Sequence, residues 1–160
     1  MLAFLHAAPT DPDVVAIKQT IYRTGSDSAL MESLLLAART GKEVTVVVEL
    51  MARFDEETNI NWASKLEDVG AHVVYGVVGH KTHAKMVLVV RRERDDDGSL
   101  VLRRYVHLGT GNYHSGTARA SPDFGPVTAE EALCSDRHEV SQQLAGRGGR
   151  TQTTCHGGPP

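Results

Sequence analysis

The sequence of 160 residues holds two cysteines, one tryptophan and eight aromatic residues in all, and neither sign of charge dominates it. Cys134 and Cys155 cannot build a disulfide framework. No apolar run approaches the roughly 18 residues needed to span a bilayer. The opening Met1-Leu2-Ala3-Phe4-Leu5-His6 has no basic stretch and no long apolar core, so it does not read as a signal peptide. Seventeen Lys and Arg against twenty Asp and Glu leave a formal charge of −3, which offers no global basic face for a nucleic acid. Polyanion binding must then come from a local cluster. What is present is a 41 % hydrophobic fraction, enough for a packed core. A soluble, cytoplasmic domain of ordinary size is expected.

All eight aromatics lie in positions 1–126, whereas seven of the fifteen residues from Gly146 to Pro160 are Gly or Pro. The closing stretch cannot bury enough apolar surface to offset its ordering entropy, so residues 146–160 read as a disordered tail. Residues 127–145 carry a weak helical pattern, Ala132-Leu133, Val140 and Leu144, and read as a peripheral helix. The folded unit is expected over 1–126.

Inside that unit, strand and helix patterns alternate. Leu2 to Ala8 is helical and stops before Pro9. Val14 to Tyr22 is rich in β-branched residues and reads as a strand. Ser26 or Asp27 is placed to cap a helix that carries Leu30, Leu34, Ala37 and Ala38 and stops at Gly41. Glu43 to Leu50 reads as a strand buried on both faces. Asp55 is placed to cap a helix over 56–69 ended by Gly70. Strands follow at 71–78, 86–91 and 100–108, the last two joined by the solvated turn Asp95-Asp96-Asp97-Gly98. The expectation is an α/β sandwich whose mainly parallel central sheet carries an added antiparallel hairpin.

Arg23 follows the first strand, Arg53 the second and His83 the third, at intervals that match one βαβ repeat. Equivalent points of parallel strands lie side by side, so the three should share the carboxyl edge of the sheet, where open α/β folds bind ligands. Guanidinium groups suit phosphate oxygens. The alternative is that Arg23 and Arg53 are surface arginines paired with carboxylates such as Asp27 or Asp55. His83-Ala84-Lys85 is followed one hairpin later by Gly109-Thr110-Gly111-Asn112. An imidazole can attack phosphorus and an ammonium two residues on can steady the equatorial oxygens. The glycine turn admits close backbone approach and supplies the Thr110 hydroxyl and the Asn112 amide. His80 and His83 have HxxH spacing, but no paired cysteines or acidic ligand complete a zinc pattern. His72 reads as a core or edge residue, and Lys18 as either an edge lysine or a member of the phosphate site.

These segments together resemble one family. Asp11-Pro12-Asp13, Ile17-Lys18-Gln19-Thr20-Ile21-Tyr22-Arg23, the run from Gly41 to Leu50, Ala52-Arg53-Phe54-Asp55-Glu56, His83-Ala84-Lys85 and Gly109-Thr110-Gly111-Asn112-Tyr113 resemble, in this order, the ATP-dependent bacterial polyphosphate kinases. The resemblance covers about 1–125, thins across 126–145 and is lost near 146. It implies a phospholipase-D-like fold and a phosphohistidine at His83, with Lys85 beside it. It implies ATP and ADP, inorganic polyphosphate and Mg²⁺ as ligands, with Arg23 and Arg53 at the family's Mg²⁺–phosphate site. An arginine has no lone pair for a metal, so both are expected to act through phosphate oxygens. Lys85, Thr110 and Asn112 are further candidates for phosphate or ATP contact, and a family-type homo-oligomer is possible.

The sequence also departs from that family. Its other domains and a second essential histidine are missing, Ser121 stands at the nucleotide-contacting tyrosine, and Val90 at the superfamily's aspartate. The expectation is therefore a fragment of a polyphosphate kinase, with half of a composite site. The competing readings are a single-HxK phosphodiesterase acting as a homodimer and a non-catalytic polyphosphate-binding module.

Overall fold

In the computed structural model, residues 2–50, 52, 55–76, 82–114 and 123–146 are described. Among them, helices α1 (Leu2–Ala7), α2 (Ala29–Arg39), α3 (Glu56–Asp68) and α4 (Glu131–Leu144) accompany strands β1 (Val14–Ile21), β2 (Glu43–Val48), β3 (His72–Tyr75), β4 (Met86–Arg94), β5 (Leu100–Leu108) and β6 (Val127–Thr128). The six strands form one sheet in the order β3-β2-β1-β4-β5-β6. β1 pairs in parallel with β2, and β2 with β3, while β1–β4, β4–β5 and β5–β6 are antiparallel.

The expected hairpin is therefore present, joined antiparallel to the parallel three, and the finished sheet is mixed. The added β6 is two residues long, too short to carry a periodic signal. One consequence matters for the site. Ile21 stands beside Val48, Val48 beside Tyr75, Gln19 beside Val87 and Met86 beside Leu108. The carboxyl ends of β1, β2, β3 and β5 and the amino end of β4 thus share one edge.

Alternating residues of the strands feed two separate cores. Ile17, Ile21, Val44, Val46, Val48, Val87 and Val89 pack with Leu5, Leu30, Met31, Leu34, Trp62 and Leu66 of α1, α2 and α3. Ala16, Leu88, Val90 and Val106 face the other way and meet Cys134 of α4. Burying both faces of β1, β2 and β4 requires their nearly continuous apolar runs.

Local chemistry sets the ends. The α2 cap is Ser28, two residues after the first expected position, where extended backbone lets its hydroxyl accept from the Met31 amide at 3.4 Å. Asp55 does sit at the start of α3, but its carboxylate makes no cap hydrogen bond. Glu130 caps α4 by accepting from the Ala132 and Leu133 amides. Along α4 the buried residues are Cys134, Asp136 and Ser141; Leu133 and Val140 are only half-buried. The expected tail falls almost wholly outside the described residues, of which Gly146 is the last.

Candidate active site

His83 and Lys85 lie on the segment that enters β4, at the shared edge. Strand alternation directs Lys85 to the same face as Val87, and the lysine is buried whereas the imidazole is exposed. Lys85 Nζ stands 2.9 Å from His83 Nε2 and donates to the His83 carbonyl at 2.7 Å. An ammonium has donors only, so it fixes Nε2 as the acceptor and leaves the ring proton on Nδ1. The lone pair of His83 therefore faces a fixed positive charge.

Tyr22 organises this corner. Its ring meets the His83 ring edge-on with centroids 5.0 Å apart. Lys85 Nζ and the Arg23 guanidinium lie 5.3 and 5.6 Å from the tyrosine centroid. A ring quadrupole attracts cations to its face and so gathers the lysine and the arginine around one buried ring. Arg23 also pairs with Asp55 at 3.2 Å, the ion pair that the sequence left open, and this explains why that carboxylate does not cap α3.

Three polar residues tie the edge together. Thr20 Oγ1 donates to the Ala84 carbonyl at 2.7 Å and accepts from the Met86 amide at 3.0 Å, locking the His83 segment onto β1. Glu49, buried at the end of β2, accepts from the Thr82 amide. Asn59 reaches from α3 and donates to the carbonyls of Tyr22 and Glu49, each at 3.0 Å. These carbonyls lie where β1 and β2 stop pairing, so a buried amide replaces the lost ladder. Sequence reading missed Tyr22, Glu49 and Asn59. The available signals were a carboxylate ending a valine run and an asparagine inside a helix, where it is a poor former.

The glycine turn closes the other side. Gly109 donates to the Lys85 carbonyl at 2.8 Å, and a Cβ there would come within 3.5 Å of the Lys85 Cβ and 3.4 Å of the His107 ring. The turn thus approaches the lysine closely, as its glycines suggest. The Thr110 hydroxyl accepts from the Phe124 amide at 3.0 Å and so braces the returning chain. Asn112 Oδ1 is buried with no hydrogen-bond partner among the described residues. Behind the turn, His107 Nδ1 and the Tyr113 hydroxyl are 3.0 Å apart; burial holds the imidazole below its ordinary pKa and pushes the phenol up.

The other sequence candidates are placed as follows. Arg53, His80 and Ser121 lie outside the described residues. His72 is exposed at the start of the edge strand β3. Lys18 lies in the central strand β1, on the face that looks toward α4, and lines a different cavity. Among the described residues no group of three or more His, Cys, Asp or Glu could hold a metal ion, and no helix is long and apolar enough to cross a membrane.

Known proteins are similar to this chain in sequence and fold. A family model described as polyphosphate kinase C-terminal domain 1 matches residues 1–150. A polyphosphate kinase of Burkholderia ambifaria is 69 % identical over 156 residues, which is 98 % of this chain and 22 % of that protein. One of Paraburkholderia phytofirmans is 68 % identical over 149 residues, 93 % of this chain and again 22 % of the relative. The crystal structure of polyphosphate kinase from Porphyromonas gingivalis superposes with a TM-score of 0.80 at 32 % identity, covering 96 % of this chain and 25 % of that one. The chain thus spans about a fifth of the length of the curated relatives it matches. On the fold, the sheet-edge residues and these matches together, the chain belongs to the polyphosphate kinase family.

Proposed function

We propose that this chain supplies the phosphoryl-accepting half of a polyphosphate kinase site, with His83 as the nucleophile. The observation that carries the reading is the exposed imidazole whose Nε2 lies 2.9 Å from the buried Lys85 ammonium, at the edge that also bears Arg23. Nε2 attacks the γ-phosphorus of ATP. The N–P bond forms as the bond from phosphorus to the β,γ-bridging oxygen breaks, and ADP leaves with that electron pair. Lys85 turns from the ring nitrogen to the equatorial oxygens as charge builds there. Arg23 grips phosphate oxygens in two-point contact, with Arg53 as its expected counterpart. In the second step, the terminal phosphate oxygen of a polyphosphate chain takes the phosphoryl group and returns the lone pair to Nε2.

Among the described residues the donor set does not fit a protein-held Mg²⁺. The Asp55 carboxylate pairs with Arg23, the Glu49 carboxylate accepts from the Thr82 amide, and arginine cannot ligate a metal. The ion would arrive with the nucleotide and would neutralise phosphate charge there, with the residues here contacting those phosphates.

The test is phosphorylation of the folded chain with Mg²⁺ and γ-labelled ATP. Acid-labile, alkali-stable label on the wild type and none on His83→Ala is expected. Lys85→Met should cut the initial rate by about 100-fold, the usual effect of losing one charge-stabilising donor. Label that persists in His83→Ala overturns the nucleophile. No label on either chain overturns an autonomous half-reaction.

A further inference from the structure

The loop that follows β1 carries Arg23 and is gripped from one face of α3. Asp55, Asn59 and Trp62 stand four and then three residues apart, so the start of α3 presents all three on the same side. Asp55 lies 3.2 Å from Arg23 Nε. Asn59 donates to the Tyr22 carbonyl at 3.0 Å, just before the arginine. Trp62 Nε1 donates to the Gly25 carbonyl at 2.9 Å, just beyond it. Asn59 and Trp62 are buried, and so is Thr24 between the two held carbonyls. The His114 ring lies against Gly25 as well. Lys65 Nζ lies 4.5 Å from the Trp62 ring centroid, a cation–π contact that steadies the indole. An arginine on an unheld loop would lose backbone and rotamer entropy each time it met a phosphate. Two backbone holds and one ion pair leave little of that entropy to lose.

We propose that Trp62 is a positioning residue for Arg23. Its indole N–H fixes the Gly25 carbonyl, so that the loop presents the guanidinium to a phosphate at the shared edge. Asn59 and Asp55 hold the same loop at Tyr22 and at the guanidinium itself. The inference rests on the reading of Arg23 as a phosphate contact. Trp62 acts through the backbone of residues 22–25 and touches no reacting atom. A donor ordered in advance favours the binding step. The effect therefore falls on affinity for phosphate groups and spares the rate of transfer once the nucleotide is bound.

The chain has a single tryptophan, so its indole N–H resonance reports this bond alone. The test is titration of the whole chain with pyrophosphate at constant ionic strength, read at the Arg23 Nε–H and Trp62 Nε1–H resonances. Both should move with one midpoint in the wild type, and the indole shift should vanish in Arg23→Ala. Trp62→benzothienylalanine keeps the ring shape and puts sulfur in place of the N–H. There the Arg23 midpoint should rise about fivefold, the size of one net hydrogen bond. The KM for ATP in His83 labelling should rise as much, with the maximal rate within about twofold of the wild type, the signature of lost uniform binding. Amplitudes that fall while the midpoint stays put mark lost folded chain alone and overturn the proposal. An indole signal that stays fixed while Arg23 saturates overturns it too, and that comparison needs no variant. So does an Arg23 signal that never responds. Saturation at Arg23 without label on His83 overturns the phosphoryl transfer and leaves the role of Trp62 standing.

Discussion

At the scale of single residues, the candidate site depends on side chains that never touch the reacting atoms. Asn59 bridges the carbonyls of Tyr22 and Glu49 from a fully buried position. Asn59→Ala leaves both acceptors unmet and should cost about 2–6 kcal/mol, at about 1–3 kcal/mol for each buried group left unsatisfied. Chemical denaturation measures this, and a loss below about 0.5 kcal/mol would show that water replaces the amide. Gly25 is a second such point. Its φ of +76° is one that L side chains rarely adopt, its carbonyl accepts from Trp62 Nε1 at 2.9 Å, and a Cβ there would come 3.0 Å from His114 Nε2. Gly25→Ala should destabilise the chain by about 1–3 kcal/mol and displace the loop that carries Arg23. Thermal melts of the variant check the first part. A weakened response of the Arg23 side-chain signals to added phosphate checks the second.

At the scale of elements, the cost of a core truncation should follow the side of the sheet on which it falls. Leu34 is fully buried between α2 and the sheet, so Leu34→Ala should cost about 2–5 kcal/mol by equilibrium unfolding. Most elements were legible because their signals are local and periodic. The valine run of β2, the apolar spacing of α2 and the Asp-Gly turn between β4 and β5 each give a one-dimensional pattern. The direction in which β4 joins β1 was not legible, since alternation along a strand does not say which neighbour it meets. The buried register of α4 was not legible either: its packing through Cys134, Asp136 and Ser141 follows from tertiary placement and contradicts its own hydrophobicity. Of the candidate site, Arg23, His83 and Lys85 were singled out through spacing, and the structure brings them to one corner. Tyr22, Glu49 and Asn59 were not singled out, because their roles come from contacts between segments far apart in the chain.

At the scale of the whole molecule, stability should fall as the solution is acidified. Burial depresses His107 and His138 below their ordinary 6.5. The folded chain therefore prefers neutral rings, and the unfolded chain binds more protons in the window below that value. Their contribution is complete above pH 6.5 and is lost as pH falls through the lower folded-state values. Asp11 and Glu93 add a loss of the same sign further down. The hydrogen bond from Arg91 holds Asp11 below 3.8, and that from Tyr105 holds Glu93 below 4.5. Melting temperatures between pH 7.5 and 3 should decline monotonically, with a flatter limb between 6.5 and 5 in His138→Gln. A melting temperature that rises on acidification would contradict the buried neutral rings.

The mixed sheet has one more consequence. The described candidate residues of the His83 site gather at one edge, while the β4–β5 hairpin runs nine residues away from it to an exposed tip at Asp95–Ser99. At about 3.4 Å per residue that tip stands some 30 Å from the chemistry. Its turn closes through its own local bonds, Gly98 to Asp95 and Asp95 to Ser99. Foreign sequence is best tolerated at such a tip. A fluorophore or affinity peptide inserted between Asp96 and Asp97 should therefore give a labelled protein whose His83 corner is undisturbed, a handle for watching ligands arrive without touching the place where they bind.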